Sequence, residues 1–285
     1  TAQAVDDPQG DLIRALALPV YNEWIGKLGR SFTQALVRMP DFNAITKASP
    51  VKHIAATIWS VPSRQRRKAI LCLDALRYDL ALDVALRLER FGFVVQVRPC
   101  LADLPTKTEI GMSRLLPRED IQVGVSGGAL SVTAQGKDLS LKSNRIEYLK
   151  QKLGKDAAFL DLKDVTAAGL KAIKAKMLVL FSRDIDLNGE AKGLGIVKDI
   201  EKEIAEIVQK IRVLVQGGYP DIHVLTDHGF LLGSGGEQTK WDAPPSAIVC
   251  DRRFALVPKA VGTDLPAVSW LWDEDFWLVL PPART

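Results

Sequence analysis

The chain has 285 residues and 47% hydrophobic content, enough apolar material for a large buried core, which excludes a disordered polypeptide. Its 38 basic and 34 acidic residues leave a net charge of +4, too little for a general polyanion binder, and no apolar run approaches the ~18 residues of a membrane span. Cys72, Cys100 and Cys250 are widely spaced and outside any Cys-x-x-Cys pattern, which excludes a disulfide framework or thiolate zinc site and reads as buried, reduced thiols of a soluble cytoplasmic protein. Thr1 rather than Met opens the chain, as in a fragment of a longer protein.

Residues 1–65 read as a helical and connecting segment, with helical stretches at Leu12–Leu18 and Trp24–Val37 and a polar, Pro-containing region after them. The main domain, 66–285, opens on Arg66-Arg67-Lys68, a solvated basic flank. A buried strand at Ala69–Leu73 then runs into Asp74 and a helix from Leu80 to Phe91, stopped by Gly92. Phe93–Val97 reads as a second strand that completes a βαβ unit and so favours a parallel sheet. The loop from Leu104 enters a short helix that ends before Pro117, and the Gly-rich stretch Gly124–Leu141 predicts a surface hairpin, a small β-rich insertion. A helix at Asn144–Leu153 and strands at Ala158–Leu162 and Ala175–Phe181 follow. Apolar spacing from Lys198 to Val215 predicts an amphipathic helix with Gly217-Gly218 as its stop, and Ile222–Leu225 is the next strand. Gly233–Pro245 reads as a loop beside the site, and the aromatic tail Ser269–Leu280 as edge strands or a hairpin belonging to core or interface. The expectation is an α/β fold with a mostly parallel sheet flanked by helices.

Chemistry is expected where buried strands stop at metal-ligand residue types. The run Ala69–Leu73 ends in Asp74, and Ile222–Leu225 leads through Thr226 into Asp227-His228. With a loop hydroxyl, Thr108, these residues form a set of two carboxylates, an imidazole and an oxygen suited to zinc, with manganese as the alternative. Coordination would help to ionise Thr108 into a nucleophile. Thr106 competes for that role from the same loop. A second acidic group, Asp184, Asp186 and Glu190, follows another strand, and Asp186 is preferred to Asp184 for its spacing to Glu190; a second ion could sit there. Arg77 could hold a phosphate oxygen or form a surface ion pair. His53 and His223 read as structural.

The segments Leu73–Asp79, Pro105–Met112 and Leu225–Phe230, with Asp186-Leu187-Asn188-Gly189-Glu190 between them, resemble the PglZ domain of the alkaline phosphatase superfamily from Lys68 to the end of the chain. The resemblance implies an alkaline-phosphatase-like fold, a first metal site at Asp74, Thr108, Asp227 and His228, and a second at Asp186 and Glu190. That second site also takes a late histidine, for which this sequence has no residue in the right chain order, so it is expected to be incomplete here; two ions are expected only in a full-length protein. It further implies a phosphohydrolase or phosphodiesterase with Thr108 as nucleophile, acting on a phosphate ester that could be a nucleotide or nucleic acid. The setting would be a BREX-type phage-defence system with methyltransferase and ATPase partners. A catalytically degenerate metal-binding assembly module of the same system is the alternative.

Overall fold

The computed structural model describes residues 8–39, 57–62, 66–117, 121–192, 197–230 and 241–281. They fall into two compact units, one comprising Ala44–Leu232 and the other Thr1–Asn43 with Gly233–Thr285.

The Ala44–Leu232 unit is built on a four-stranded parallel sheet. Its strands are β1 (Lys68–Leu73), β5 (Ala157–Asp161), β6 (Met177–Ser182) and β7 (Asp221–Leu225), in the order β5-β6-β1-β7. Ala69, Ile70 and Leu71 are fully buried, because a central parallel strand is covered on both faces. Alternation along the strands sends Ala69, Leu71, Leu73, Leu178 and Leu180 to one side. There they meet Val84 and Leu88 of helix Tyr78–Arg90, Leu170 of helix Ala167–Ala172, and Ile204, Ile207, Val208, Ile211 and Leu214 of helix Val197–Gln216. The carboxyl ends of β1, β6 and β7 therefore lie side by side in register, with Cys72 opposite Phe181 and Leu225. Between β1 and β5 the chain forms helix Thr108–Arg114, then the insertion β2 (Gln122–Ser126), β3 (Ala129–Ala134) and β4 (Lys137–Asp138), an antiparallel three-stranded sheet, and helix Lys142–Leu153. Helix Asp184–Lys192 follows β6.

The other unit contains helix Pro8–Arg38 and an antiparallel sheet of β8 (Val249–Cys250), β9 (Ala255–Pro258), β10 (Ala267–Ser269) and β11 (Phe276–Val279), in the order β10-β11-β9-β8. Its core gathers Ala255, Val257 and Val279 with Trp241 and Trp277 against them. Trp270 is fully buried and meets Phe276 edge to face at 6.3 Å.

The mixed α/β class and the parallel sheet agree with the sequence reading, and several local expectations do not. Among the described residues Phe93–Val97 pairs with no strand, and both places beside β1 are held by β6 and β7. Phe93 and Val95 still pack on the core while Val94 is exposed, so the alternation marks burial without a ladder. The first two helical stretches are one helix running through Pro19. Cys72 is buried, but Cys100 and Cys250 are exposed; all three are free thiols. Arg66 of the basic flank is exposed as expected, but Arg67 and Lys68 are not solvated. Arg67 stacks 3.9 Å over the Tyr219 ring and donates to the Ile173 and Ala175 carbonyls, while the Lys68 ammonium is buried on the Ile58 carbonyl. His53 and most of the Gly233–Pro245 loop lie outside the described residues.

Candidate metal centre

Parallel pairing carries Asp74 one step past β1, where its backbone N–H donates to the Ser182 carbonyl at 2.9 Å. The chain then turns through Ala75 at φ +60°, a left-handed conformation that an L side chain rarely adopts. This turn aims the Ala75 N–H at Asp227 Oδ1, 3.3 Å away, and the same oxygen accepts the His228 N–H at 2.9 Å. Thr108 stands at the first position of its helix, after the extended residue Lys107. Gly111, three residues on and so on the same helical face, lets that helix approach. A Cβ there would lie 2.7 Å from Asp227 Cβ, inside contact distance.

These elements bring four of the residues expected from the sequence together. Asp74, Asp227 and His228 each offer a ligand atom within 4.8 Å of the other two. Thr108 Oγ1 lies 3.0 Å from His228 Nε2 and 3.3 Å from Asp74 Oδ1. His228 Nε2 is 3.4 Å from Asp227 Oδ2 and 3.8 Å from Asp74 Oδ1, and the side chains of the three ligand residues are 3% exposed or less.

The donor set fits a cation on its own chemistry. His228 Nδ1 sits 3.0 Å from the Gly229 carbonyl, which can only accept, so Nδ1 carries a proton and Nε2 is the ring nitrogen that faces the two carboxylates. Asp227 Oδ2 is buried without a hydrogen-bond partner among the described residues. An imidazole nitrogen, an orphaned carboxylate oxygen and a second carboxylate make a donor set that a divalent ion can neutralise. Asp74 feels that crowding. Burial, then the charges of Asp227 and Asp186, push its pKa up to about 6, against the opposing pull of His228 and Arg183. Burial raises Asp227 as well, offset by His228 and the backbone N–H groups it accepts. Burial also pushes the Cys72 thiol to about 12, and Cys72 is not among the residues whose ligand atoms cluster here.

The remaining candidates separate. Asp186 faces the centre closely enough to act on Asp74, and Asp184 instead accepts from Ser182 Oγ at 2.8 Å. Glu190 belongs to helix Asp184–Lys192, and its side chain is outside the described residues. Arg77 makes a two-pronged ion pair with Asp79 at 2.9 Å and lies 5.3 Å from the Phe230 ring centre. His223 lies along β7 with Asp221 Oδ1 at 3.3 Å, and of the two loop hydroxyls it is that of Thr108 for which the contact with His228 is established.

Two cations escaped sequence reasoning. Arg183 reaches Asp74 Oδ2 at 3.5 Å and Asp186 Oδ2 at 3.8 Å, spanning the two carboxylates. Its position directly after a buried strand was the signal available. Arg145 is buried within helix Lys142–Leu153 on the stripe that carries Tyr148 and Leu149, and an arginine at core spacing was the signal there.

The family model for the BREX system PglZ alkaline phosphatase-like domain matches residues 52–267. Among curated proteins, the alkaline phosphatase-like protein BrxZ of Escherichia coli O9:H4 (strain HS) is 28% identical over 221 residues, covering 73% of this chain and 24% of that protein. The chain thus spans about a quarter of the length of this relative. With the family match running from before β1 past the Asp227-His228 pair, this chain belongs to the PglZ family of BREX system alkaline phosphatase-like domains.

Proposed function

We propose that this domain is a metal-dependent phosphohydrolase of a BREX defence system, acting on phosphate esters, with phosphodiesters including nucleotide or nucleic-acid linkages as the favoured substrates. The carrying observation is the Thr108 hydroxyl, seated on His228 Nε2 and Asp74 Oδ1 at the mouth of the Asp74–Asp227–His228 cluster.

Asp74, Asp227 and His228 would hold the ion, with Thr108 Oγ1 as the fourth ligand; zinc suits this nitrogen and oxygen set, and manganese is the alternative. When bound, the ion supplies the positive charge that makes a threonine hydroxyl acidic enough to attack at neutral pH. The Thr108 oxygen would attack phosphorus as its proton leaves, one ester oxygen would depart and take up a proton as an alcohol, and water would then cleave the phosphothreonine, releasing a phosphomonoester from a diester or phosphate from a monoester and restoring the hydroxyl. Gly229 fixes the His228 tautomer through its carbonyl, and the Ala75 N–H holds Asp227 in place. A second ion, at Asp186 and Glu190 and only in a full-length protein that supplies the late histidine, and work beside methyltransferase and ATPase partners in the cytoplasm, complete the proposal.

Zinc- or manganese-loaded protein should hydrolyse bis(nitrophenyl) phosphate, and Thr108→Ala should remove that activity while metal binding persists. Tight metal binding with no turnover by the wild type on any phosphate ester would favour a non-catalytic assembly module instead.

A further inference from the structure

Arg183 stands between two carboxylates at the rim because the sheet puts it there. Leu73 is opposite Ser182 in the parallel register of β1 and β6, and the Asp74 N–H donates to the Ser182 carbonyl at 2.9 Å, so Asp74 and Arg183 leave the sheet side by side. Ser182 Oγ then donates to Asp184 Oδ2 at 2.8 Å and accepts the Asp184 N–H at 3.2 Å, which draws the chain into a tight turn at Arg183. The Arg183 carbonyl accepts the Leu187 N–H at 2.9 Å and so joins the turn to helix Asp184–Lys192. Asp186, three residues on, lies on the same face of that helix.

The two oxygens of Asp74 face different neighbours. Oδ1 looks toward Thr108 Oγ1 at 3.3 Å and His228 Nε2 at 3.8 Å, the first site, whereas Oδ2 looks toward Arg183 Nε at 3.5 Å. Arg183 Nη2 reaches on to Asp186 Oδ2 at 3.8 Å. The Asp74 side chain is 2% exposed and that of Asp186 11%, so water cannot neutralise either carboxylate and each needs a positive neighbour. A metal ion on Asp186 would sit about 2 Å from its oxygen, beside a guanidinium whose like charge opposes it. This sequence has no late histidine to offset that repulsion. The second position therefore suits a tethered guanidinium, charged at every working pH, and does not suit an ion.

We propose that Arg183 is the second cation of this centre. Its guanidinium takes the place of a second metal ion, so this chain binds one ion, at Asp74, Thr108, Asp227 and His228, and keeps Asp186 neutralised without metal. The inference rests on the metal centre of the proposed function and goes beyond it: in a full-length protein that supplies a late histidine, the second ion would have to displace Arg183.

The test is a count of zinc per folded chain, by atomic emission after equilibrium dialysis at stepped free zinc concentrations. The wild type should hold one zinc. Arg183→Ala leaves Asp74 Oδ2 and Asp186 without their cation and should raise the count to two, whereas Arg183→Lys, which keeps the charge, should stay at one. Adding Asp186→Asn to Arg183→Ala should return the count to one. Should the alanine variant fail to fold, Arg183→Gln, which keeps most of the length and loses the charge, carries the same expectation of two. A count of two in the wild type, in Arg183→Lys or in the double variant, or of one in a folded, uncharged Arg183 variant, overturns the inference. The two readings fail separately: a count that rises from one to two without any hydrolysis removes only the hydrolase, and hydrolysis by a wild type holding two ions removes only the role of Arg183. No zinc on the wild type removes the metal centre and the inference with it.

Discussion

In the proposed reaction two residues set what the centre does, Thr108 as nucleophile and Asp74 as a ligand of raised pKa. Thr108→Ala should lower hydrolysis of an activated diester by about 10³-fold or more, while Thr108→Ser, which keeps the hydroxyl, should retain substantial turnover. Alanine-level activity equal to the wild type would reassign the nucleophile, with Thr106 next in line. Asp74 carries a sign that can be checked. Its folded-state pKa of about 6 stands above its ordinary value of 3.8, because burial and the charges of Asp227 and Asp186 disfavour the anion. Without metal, the folded protein therefore holds a proton that the unfolded chain has released between those two values. The stabilisation is fully present below pH 3.8 and lost as pH rises through about 6. Two decades of pKa correspond to roughly 3 kcal/mol at most. Chelator-treated wild type should thus lose stability relative to Asp74→Asn on going from pH 4 to pH 7, measured by urea unfolding. Zinc affinity should run the other way, falling as pH drops below about 6 because protons compete for the carboxylate. Parallel stability profiles for the two proteins would remove the raised pKa.

At the level of elements, the site depends on how closely helix Thr108–Arg114 meets the turn after β7. Gly111→Ala would drive a Cβ to 2.7 Å from Asp227 Cβ, against a neighbour fixed by backbone, so the helix must retreat and carry Thr108 with it. The expected cost is about 1–3 kcal/mol of stability, with activity reduced by about 10²-fold through misplacement of the nucleophile. Wild-type kinetics in the alanine variant would show that the helix can shift without moving Thr108. Much of this element-level picture was legible in the sequence, and the reasons differ by element. β1 and β6 announce themselves as apolar runs because they are buried on both faces, whereas β7 is a half-exposed edge strand; the abrupt ends of the three at Asp74, Arg183 and the Asp227-His228 region mark the sheet rim. Thr108 was legible as a candidate but not as the choice over Thr106; only the fold shows which hydroxyl meets His228. Phe93–Val97 misled because alternation reports which face is buried and says nothing about which strands already fill the neighbouring places. Arg183 and Arg145 stayed hidden for a related reason. An arginine in sequence looks solvated until packing reveals what surrounds it.

Over the Ala44–Leu232 unit, one cation would join segments that are far apart along the chain. Ala75, the residue after Asp74, and Asp227 lie 152 positions apart with Thr108 between them, so the ion closes a long loop that an unfolded chain leaves open. Because the unfolded chain cannot present this geometry, metal binding is linked to folding by mass action. At a free zinc concentration of 100 times the dissociation constant, the gain is about 2.7 kcal/mol, which corresponds to roughly 100-fold slower exchange for amides released only by unfolding of the unit. Hydrogen exchange read by mass spectrometry should then show protection rising together in peptides covering 68–76, 108–114 and 221–230, which contain β1, the Thr108 helix and β7. Asp227→Asn, which keeps the side-chain shape and removes the charge, should erase the zinc effect in all three at once. Its removal in one peptide alone would mean that the residues bind zinc locally and do not form a common centre. Equal protection in the mutant would place the ion elsewhere. Joint loss is the result that the geometry demands, since His228 Nε2 stands within 4 Å of ligand atoms contributed by each of the three segments.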